Sequence, residues 1–239
     1  MGDFIEQAVS TVSGDAFAAF IGIITTAAVG GLRWQLHKRL PAKRMWRFSD
    51  ARSLTLAIAT SGEIDTGLYP RPTTGLGQVR AVALLAPSLT RAYRELDLEQ
   101  LRLSATVRGD EFENDLVVLG GPKNNHVAEH ILAHIPGIPL RVDQNLLFWE
   151  GEQYTGVVRD KKVLRDYGYV VRAPNPFASE RRVVVIAGAH TYGTIAAARW
   201  MVESGGAREI PADVAVLVEA MVLDGGHVTR PKVIHRVAL

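Results

Sequence analysis

The chain has 239 residues, 47% of them apolar, a formal net charge of +2 and no cysteine. That length holds one α/β domain with a real core plus an appendage, and that composition excludes a disordered chain. The missing cysteines exclude disulfides and thiolate metal sites, which fits a reducing compartment.

The charge is segregated. Residues 1–52 hold seven Lys/Arg against four Asp/Glu, which leaves 20 against 21 in 53–239. A nucleic-acid binder working through counterion release should be basic where it folds, so no nucleic-acid partner is expected.

Residues 1–15 carry three acids and no Lys or Arg. Residues 16–32 (AFAAFIGIITTAAVGGL) are uncharged, and 33–47 then bring six cations and no acid. A signal peptide has its positive charge before the apolar run, and here it follows. A membrane-spanning helix needs about 20 residues, with a range of about 17–25. The run has 17 and extends backward through Val12, Ser13 and Gly14. The positive-inside rule places the cations in the cytoplasm and 1–15 outside, and Trp34 and Trp46 suit an interface. The expectation is a single-pass protein of the cell inner membrane. It has a transmembrane helix at 16–32, a basic juxtamembrane segment at 33–52 and a cytoplasmic α/β ligand-binding domain at 53–239. The competing reading is a buried Ala/Gly-rich helix, because Gly22, Gly30 and Gly31 weaken the hydrophobicity.

From residue 53 the pattern changes. Residues 54–59 (LTLAIA) read as a first strand, followed by a Gly/Pro/Thr-rich loop over 60–77. Residues 78–96 read as a helix with Val79, Val82, Leu85, Ala86, Leu89 and Tyr93 on one buried face. Pro87 should kink or split it. Residues 101–107 read as a second strand and 116–119 as a third. Asn124 or Asn125 caps the next helix, which carries Val127, Ala128, Ile131, Leu132 and Ile135 as its stripe and ends at Pro136-Gly137.

Residues 146–149, 154–158 and 167–172 read as antiparallel strands extending the sheet, split by the charged stretch 159–166. After a loop at 173–177, Val183 to Ile186 is the most apolar strand and so expected to be central. A helix over 194–203 is stopped by Gly205-Gly206. Strands at 214–223 and 233–239 close the chain through the hairpin signal Asp224-Gly225-Gly226. The fold class expected is α/β. It combines the N-terminal transmembrane helix with a Rossmann-like mixed sheet, flanking helices and an antiparallel extension.

Three glycine-bearing turns precede helices. They are Thr73-Thr74-Gly75-Leu76-Gly77-Gln78, then Gly120-Gly121-Pro122-Lys123-Asn124-Asn125, then Gly188-Ala189-His190-Thr191-Tyr192-Gly193-Thr194. In an open sheet such turns share the carboxyl edge, where ligands bind, and helix N-termini there face anions. One shared pocket for a nucleotide-like or otherwise phosphorylated ligand is expected, against ordinary loop chemistry, which also favours Gly and Asn. The binding candidates are Thr73, Thr74, Gly75, Gly77, Gly120, Gly121, Lys123, Asn124, Asn125, Gly188, His190, Thr191, Gly193 and Thr194.

None of the three turns completes a named fingerprint. Arg80 stands where the third glycine of a dinucleotide turn belongs, and Thr194 where a phosphate loop has its lysine. His126, His130 and His134 share one helix face, but no Glu follows His126, so they read as a solvated face and no metal is expected. His190, in a glycine turn, and Glu219, inside an apolar strand, are the acid/base candidates.

An N-terminal membrane helix joined to a Rossmann-like domain resembles the membrane-tethered sensors and effectors of bacterial nucleotide-signalling defence systems. The turns at 73–78, 120–125 and 188–194 resemble the nucleotide-binding turns of TIR-like and SLOG-like domains. The similarity is architectural, covers roughly 53–239 and matches no diagnostic motif residue by residue, so no catalytic residue is carried over. The segment 145–172 departs from a simple TIR-like fold. The resemblance implies a membrane-anchored module that binds a nucleotide-like ligand in signalling or defence. The alternatives are an enzyme cleaving a nucleoside or NAD-like bond, with His190 or Glu219 as acid/base, and a ligand-free membrane scaffold. An oligomer is compatible with each.

Overall fold

The structure is a computed structural model that describes residues 33–49, 51–96 and 101–239. It divides into two compact units, 1–41 and 42–239. In the first, Gln35–Arg39 form a short π-helical turn.

The membrane expectation is corrected. Its span, 16–32, lies outside the described residues, and among the described residues no helix is long and apolar enough to cross a membrane. One of the two tryptophans expected at an interface is also elsewhere. Trp46 is fully buried, and its Nε1 donates to Ser88 Oγ at 3.2 Å. Phe48 N–H donates to the Tyr93 hydroxyl at 2.8 Å, which in turn donates to Phe48 O at 3.2 Å. Residues 42–48 are thus pinned into the α/β core, where a juxtamembrane segment was expected.

Helix α1 (Leu40–Trp46) leads to strand β1 (Thr55–Ile58), the hairpin β2 (Gly62–Asp65) and β3 (Pro70–Thr73), and helix α2 (Leu76–Ala92). Next come β4 (Leu101–Leu103), β5 (Leu116–Leu119), helix α3 (His126–His134) and the meander β6 (Leu140–Asp143), β7 (Leu146–Trp149) and β8 (Glu152–Tyr154). The chain continues with β9 (Val157–Arg159), β10 (Lys162–Asn175), β11 (Ala178–Gly188) and helix α4 (Thr191–Ser204). It ends with β12 (Val214–Leu223), β13 (His227–Val228) and β14 (Lys232–Ala238).

The main sheet is mixed, with nine strands among the described residues and the order β13-β12-β10-β11-β5-β1-β4, β14 lying against β12 and β9 against β10. Strands β4, β1, β5 and β11 run parallel, while β10, β12 and β14 continue antiparallel. The parallel strands are buried on both faces by period-two alternation. Leu56, Ile58, Val117, Leu119, Val184 and Ile186 face a core shared with Trp46, Leu85, Leu89, Trp200 and Met201. Ala57, Leu116, Val118, Val183 and Val185 face a second core with Val127, Ile131, Leu147 and Trp149. The result is an α/β domain whose sheet is covered on both sides.

Four details differ from expectation. Helix α2 is not split but continues as one 17-residue helix through Pro87, because Pro87 and Ala83, whose carbonyl loses its donor to the proline, are on the exposed side, while Leu85, Ser88 and Leu89 stay buried. The loop at 60–77 contains the β2–β3 hairpin. The charged stretch 159–166 turns only at Asp160-Lys161, between β9 and β10; β10 takes in the rest of it from Lys162, because Arg165 pairs with Glu219 at 3.5 Å and Asp166 accepts three donors. Residues 140–154 form a separate three-stranded sheet rather than an extension of the main one.

Candidate functional site

The parallel strands β1, β5 and β11 end on the same edge, and one cavity of about 240 Å³ opens there. Its wall includes Ser61 after β1, Gly75 and Gln78 at the start of α2, and Gly121, Lys123 and Asn124 after β5. Gly188, Ala189, His190, Thr191 and Thr194 close it from the end of β11 and the start of α4. Val142, Gln144 and Asn145 complete it from the β6–β7 turn.

Two helices begin at this cavity, with Gly75 and His190 as their N-caps; Gly75 has no side chain to cap α2, and the His190 side chain accepts no hydrogen bond from α4. A helix start carries unsatisfied N–H groups and the positive end of the dipole. By contrast, α3 is capped internally. Asn125 Oδ1 accepts from Val127 N and Ala128 N at 3.1 and 3.2 Å. Its Nδ2 donates to Ala57 O and Leu119 O at 3.3 and 3.1 Å. Buried and fully engaged, Asn125 is a brace between β1, β5 and α3.

The candidates therefore divide. Gly75, Gly121, Lys123, Asn124, Gly188, His190, Thr191 and Thr194 line the cavity. Thr73, Thr74, Gly77, Gly120, Asn125 and Gly193 do not. The Thr73 and Thr74 hydroxyls donate to Gly62 O and Ala59 O at 3.0 and 2.8 Å, which folds the hairpin back onto β1. A Cβ on Gly77 would stand 2.7 Å from the Thr191 carbonyl oxygen, so the glycine lets α2 and α4 touch at their first turns. Cβ atoms on Gly168, Gly188 or Gly193 would overlap one another's backbone or that of Tyr167, so these three lay α4 directly on β10 and β11. Gly120, at φ +101°, makes the left-handed turn out of β5. Gly121 does not have positive φ; its absent side chain leaves room for the Tyr169 hydroxyl.

Beneath His190 lies a residue the sequence reading passed over. Asp166 is fully buried at the start of the hydrophobic stretch of β10. Its Oδ2 accepts from Gly193 N–H at 2.6 Å, inside the first turn of α4. Its Oδ1 accepts from Tyr167 N–H at 2.9 Å and faces His190 Nδ1 at 3.3 Å. The hydrogen bond to Asp166 raises the His190 pKa above its ordinary value, burial and nearby Lys123 opposing it. An Nδ1–H held by a carboxylate leaves Nε2 as the ring nitrogen facing a ligand. Asp166 sits 24 positions before His190, so only the β10–β11 pairing reveals the contact. A lone acid entering an apolar strand was the one available sign, because such a group must find donors.

The other candidates lie apart. Glu219 does not line the cavity; its Oε2 accepts from the Tyr167 hydroxyl at 2.6 Å and pairs with Arg165. Burial first, then this bond, pushes the Tyr167 pKa up to about 12. Among the described residues no His/Asp/Glu cluster could hold a metal. His130 and His134 instead lie against Phe112 and Phe177, with ring centroids 5.8 and 5.2 Å apart.

Fold and cavity together define an α/β domain with a polar pocket at the carboxyl edge of its parallel strands. The chain matches no protein-family model and no curated protein.

Proposed function

We propose that this domain binds a phosphorylated small molecule, a nucleotide or another phosphate ester, in the cavity at the carboxyl edge of β1, β5 and β11. One observation carries the reading. The start of α2, which has no side-chain cap, and the start of α4 meet at a single cavity with Lys123 and His190, and no carboxylate lines it among the described residues, Asp166 lying beneath His190 on the Gly193 N–H. That combination favours an anion, since backbone N–H groups, helix dipoles and the Lys123 ammonium act in the same direction, and His190, its pKa raised by Asp166, adds a ring N–H when protonated. Lys123 is exposed and within 3.4 Å of Asn145 Oδ1, so its ammonium is held over the mouth by the meander turn.

The test is calorimetry of the full chain with inorganic phosphate and a panel of phosphate esters. Lys123→Ala should weaken binding by about 1.5–3 kcal/mol, the worth of a hydrogen bond to a charged group. Unchanged affinity in Lys123→Ala, for an ester that the wild type binds, would move the site elsewhere.

A second reading, catalysis at the same site, is favoured by the Asp166–His190 pair. A carboxylate-oriented imidazole with a raised pKa suits general acid–base work near neutral pH. Turnover of a bound ester that disappears in His190→Gln would support it over binding alone.

A further inference from the structure

We infer that the ligand is a phosphorylated sugar or polyol rather than a nucleotide; this rests on the phosphate reading above. Four residues with carboxamide side chains line the cavity: Gln78, Asn124, Gln144 and Asn145. A carboxamide presents a donor and an acceptor side by side, and a hydroxyl needs both. Four of them around one small space match a molecule dense in hydroxyls.

Geometry places them as a set. The Gln78 carboxamide spans the gap between the first two turns: a Cβ on Gly75 would stand 2.7 Å from its Oε1, and one on Gly120 would stand 3.2 Å from its Nε2. Gln144 and Asn145 form the turn that joins β6 to β7, and Gln144 holds φ +54°, a left-handed backbone that glutamine rarely adopts. A two-residue hairpin turn calls for such a backbone, and this turn puts both residues at the cavity wall.

The wall equally lacks what a nucleobase requires. Among the described residues lining it, Val142 and Ala189 are the apolar ones, and no Phe, Tyr or Trp is present. A base is normally held on an aromatic or broad apolar face, and each such stack contributes substantially to affinity. The volume of about 240 Å³ also lies below the range of about 300–1,000 Å³ common for larger ligands. Phosphate on Lys123 and His190, hydroxyls on the carboxamides: the lining accounts for both ends of a sugar phosphate and neither face of a base.

The experiment is calorimetry of the full chain against inorganic phosphate, aldose, ketose and polyol phosphates from triose to heptose, the corresponding free sugars, and AMP. Two added hydroxyl bonds at about 1 kcal/mol each should make the best sugar phosphate at least about tenfold tighter than inorganic phosphate and than AMP. Gln144→Gly removes a carboxamide and relaxes the backbone, and the ratio of sugar-phosphate to phosphate affinity should fall towards one. AMP binding as tightly as any sugar phosphate, or no sugar phosphate exceeding inorganic phosphate, overturns the inference and leaves the anion site standing. No binding of inorganic phosphate or of any ester overturns the anion reading and this one with it.

Discussion

Asp166→Asn is the substitution that asks most of the site. The carboxylate is fully buried and accepts from Gly193 N–H at 2.6 Å, Tyr167 N–H at 2.9 Å and His190 Nδ1 at 3.3 Å. An amide keeps the shape but must turn an NH₂ towards one of those donors. At least one hydrogen bond to a charged acceptor is lost, worth about 1.5–3 kcal/mol, and one buried N–H is left unpaired at about 1–3 kcal/mol. Because the side chain rotates to the less costly choice, the net loss should be about 2–4 kcal/mol, and Tm should fall by roughly 4–16 °C for a chain of this size.

The same substitution tests the histidine. The Asp166 hydrogen bond is the first cause raising the His190 pKa, so removing it should bring that pKa down. The linkage sign follows. A pKa raised in the folded state gives stability that is fully present below the unfolded value of about 6.5 and is lost as pH rises through the folded pKa. The stability gap between wild type and Asp166→Asn should therefore be widest at acidic pH while Asp166 stays ionised. It should narrow, without vanishing, on the alkaline side, where the Gly193 bond remains. Urea unfolding between pH 5.5 and 9 and an NMR titration of the His190 ring give both readouts. An unchanged His190 titration in the variant would refute the pairing.

Gly120→Ala should lose about 2–5 kcal/mol, since φ is +101° and the new Cβ would stand 2.5 Å from Ala59 Cβ. Gly121→Ala should lose less, its Cβ standing 3.2 Å from the Tyr169 hydroxyl and 3.8 Å from Ala187 Cβ, and thermal unfolding that reversed this order would count against the turn assignment. Arg172→Met should cost about 3–5 kcal/mol by urea unfolding. That guanidinium, 1% exposed, donates to the carbonyls of Arg44, Met45, Gly205, Pro211 and Ala212, and all five lose a donor together. A loss below about 1 kcal/mol would show that these carbonyls find other donors.

Much of the α/β framework is written in local patterns. The run 116–119 is strand β5, and Asn125 caps α3. Both follow from short-range rules: an apolar run buried on two faces and an Asx residue before a helical stripe. What local pattern cannot carry is partnership. The charges of 159–166 look like a break until Glu219 and the α4 backbone supply their partners from elsewhere in the chain. Trp46 looks like a membrane anchor because aromatic residues beside cations suit an interface, yet its neighbours in space are Ser88 and Phe48. The meander 140–154 has the alternation of a sheet strand, and nothing in alternation says which sheet.

The glycine turns carry the same lesson into the site. A glycine before a helix is compatible with backbone facing a ligand and with backbone facing backbone. Gly188 and Gly193 illustrate the second, since helix α4 sits against β10 and β11 only because both lack a side chain. That close approach in turn brings Gly193 N–H onto Asp166 and sets His190 above it. Gly188, at the cavity wall, and Gly193, outside it, are thus what aims His190. The cavity wall is completed instead by residues with weak sequence signals: Gln78, Gln144 and Asn145, drawn from α2 and from a turn in a different sheet. A reading organised by glycine finds the edge where the pocket forms. The side chains that would choose a ligand become visible only when β6 and β7 are placed beside that edge.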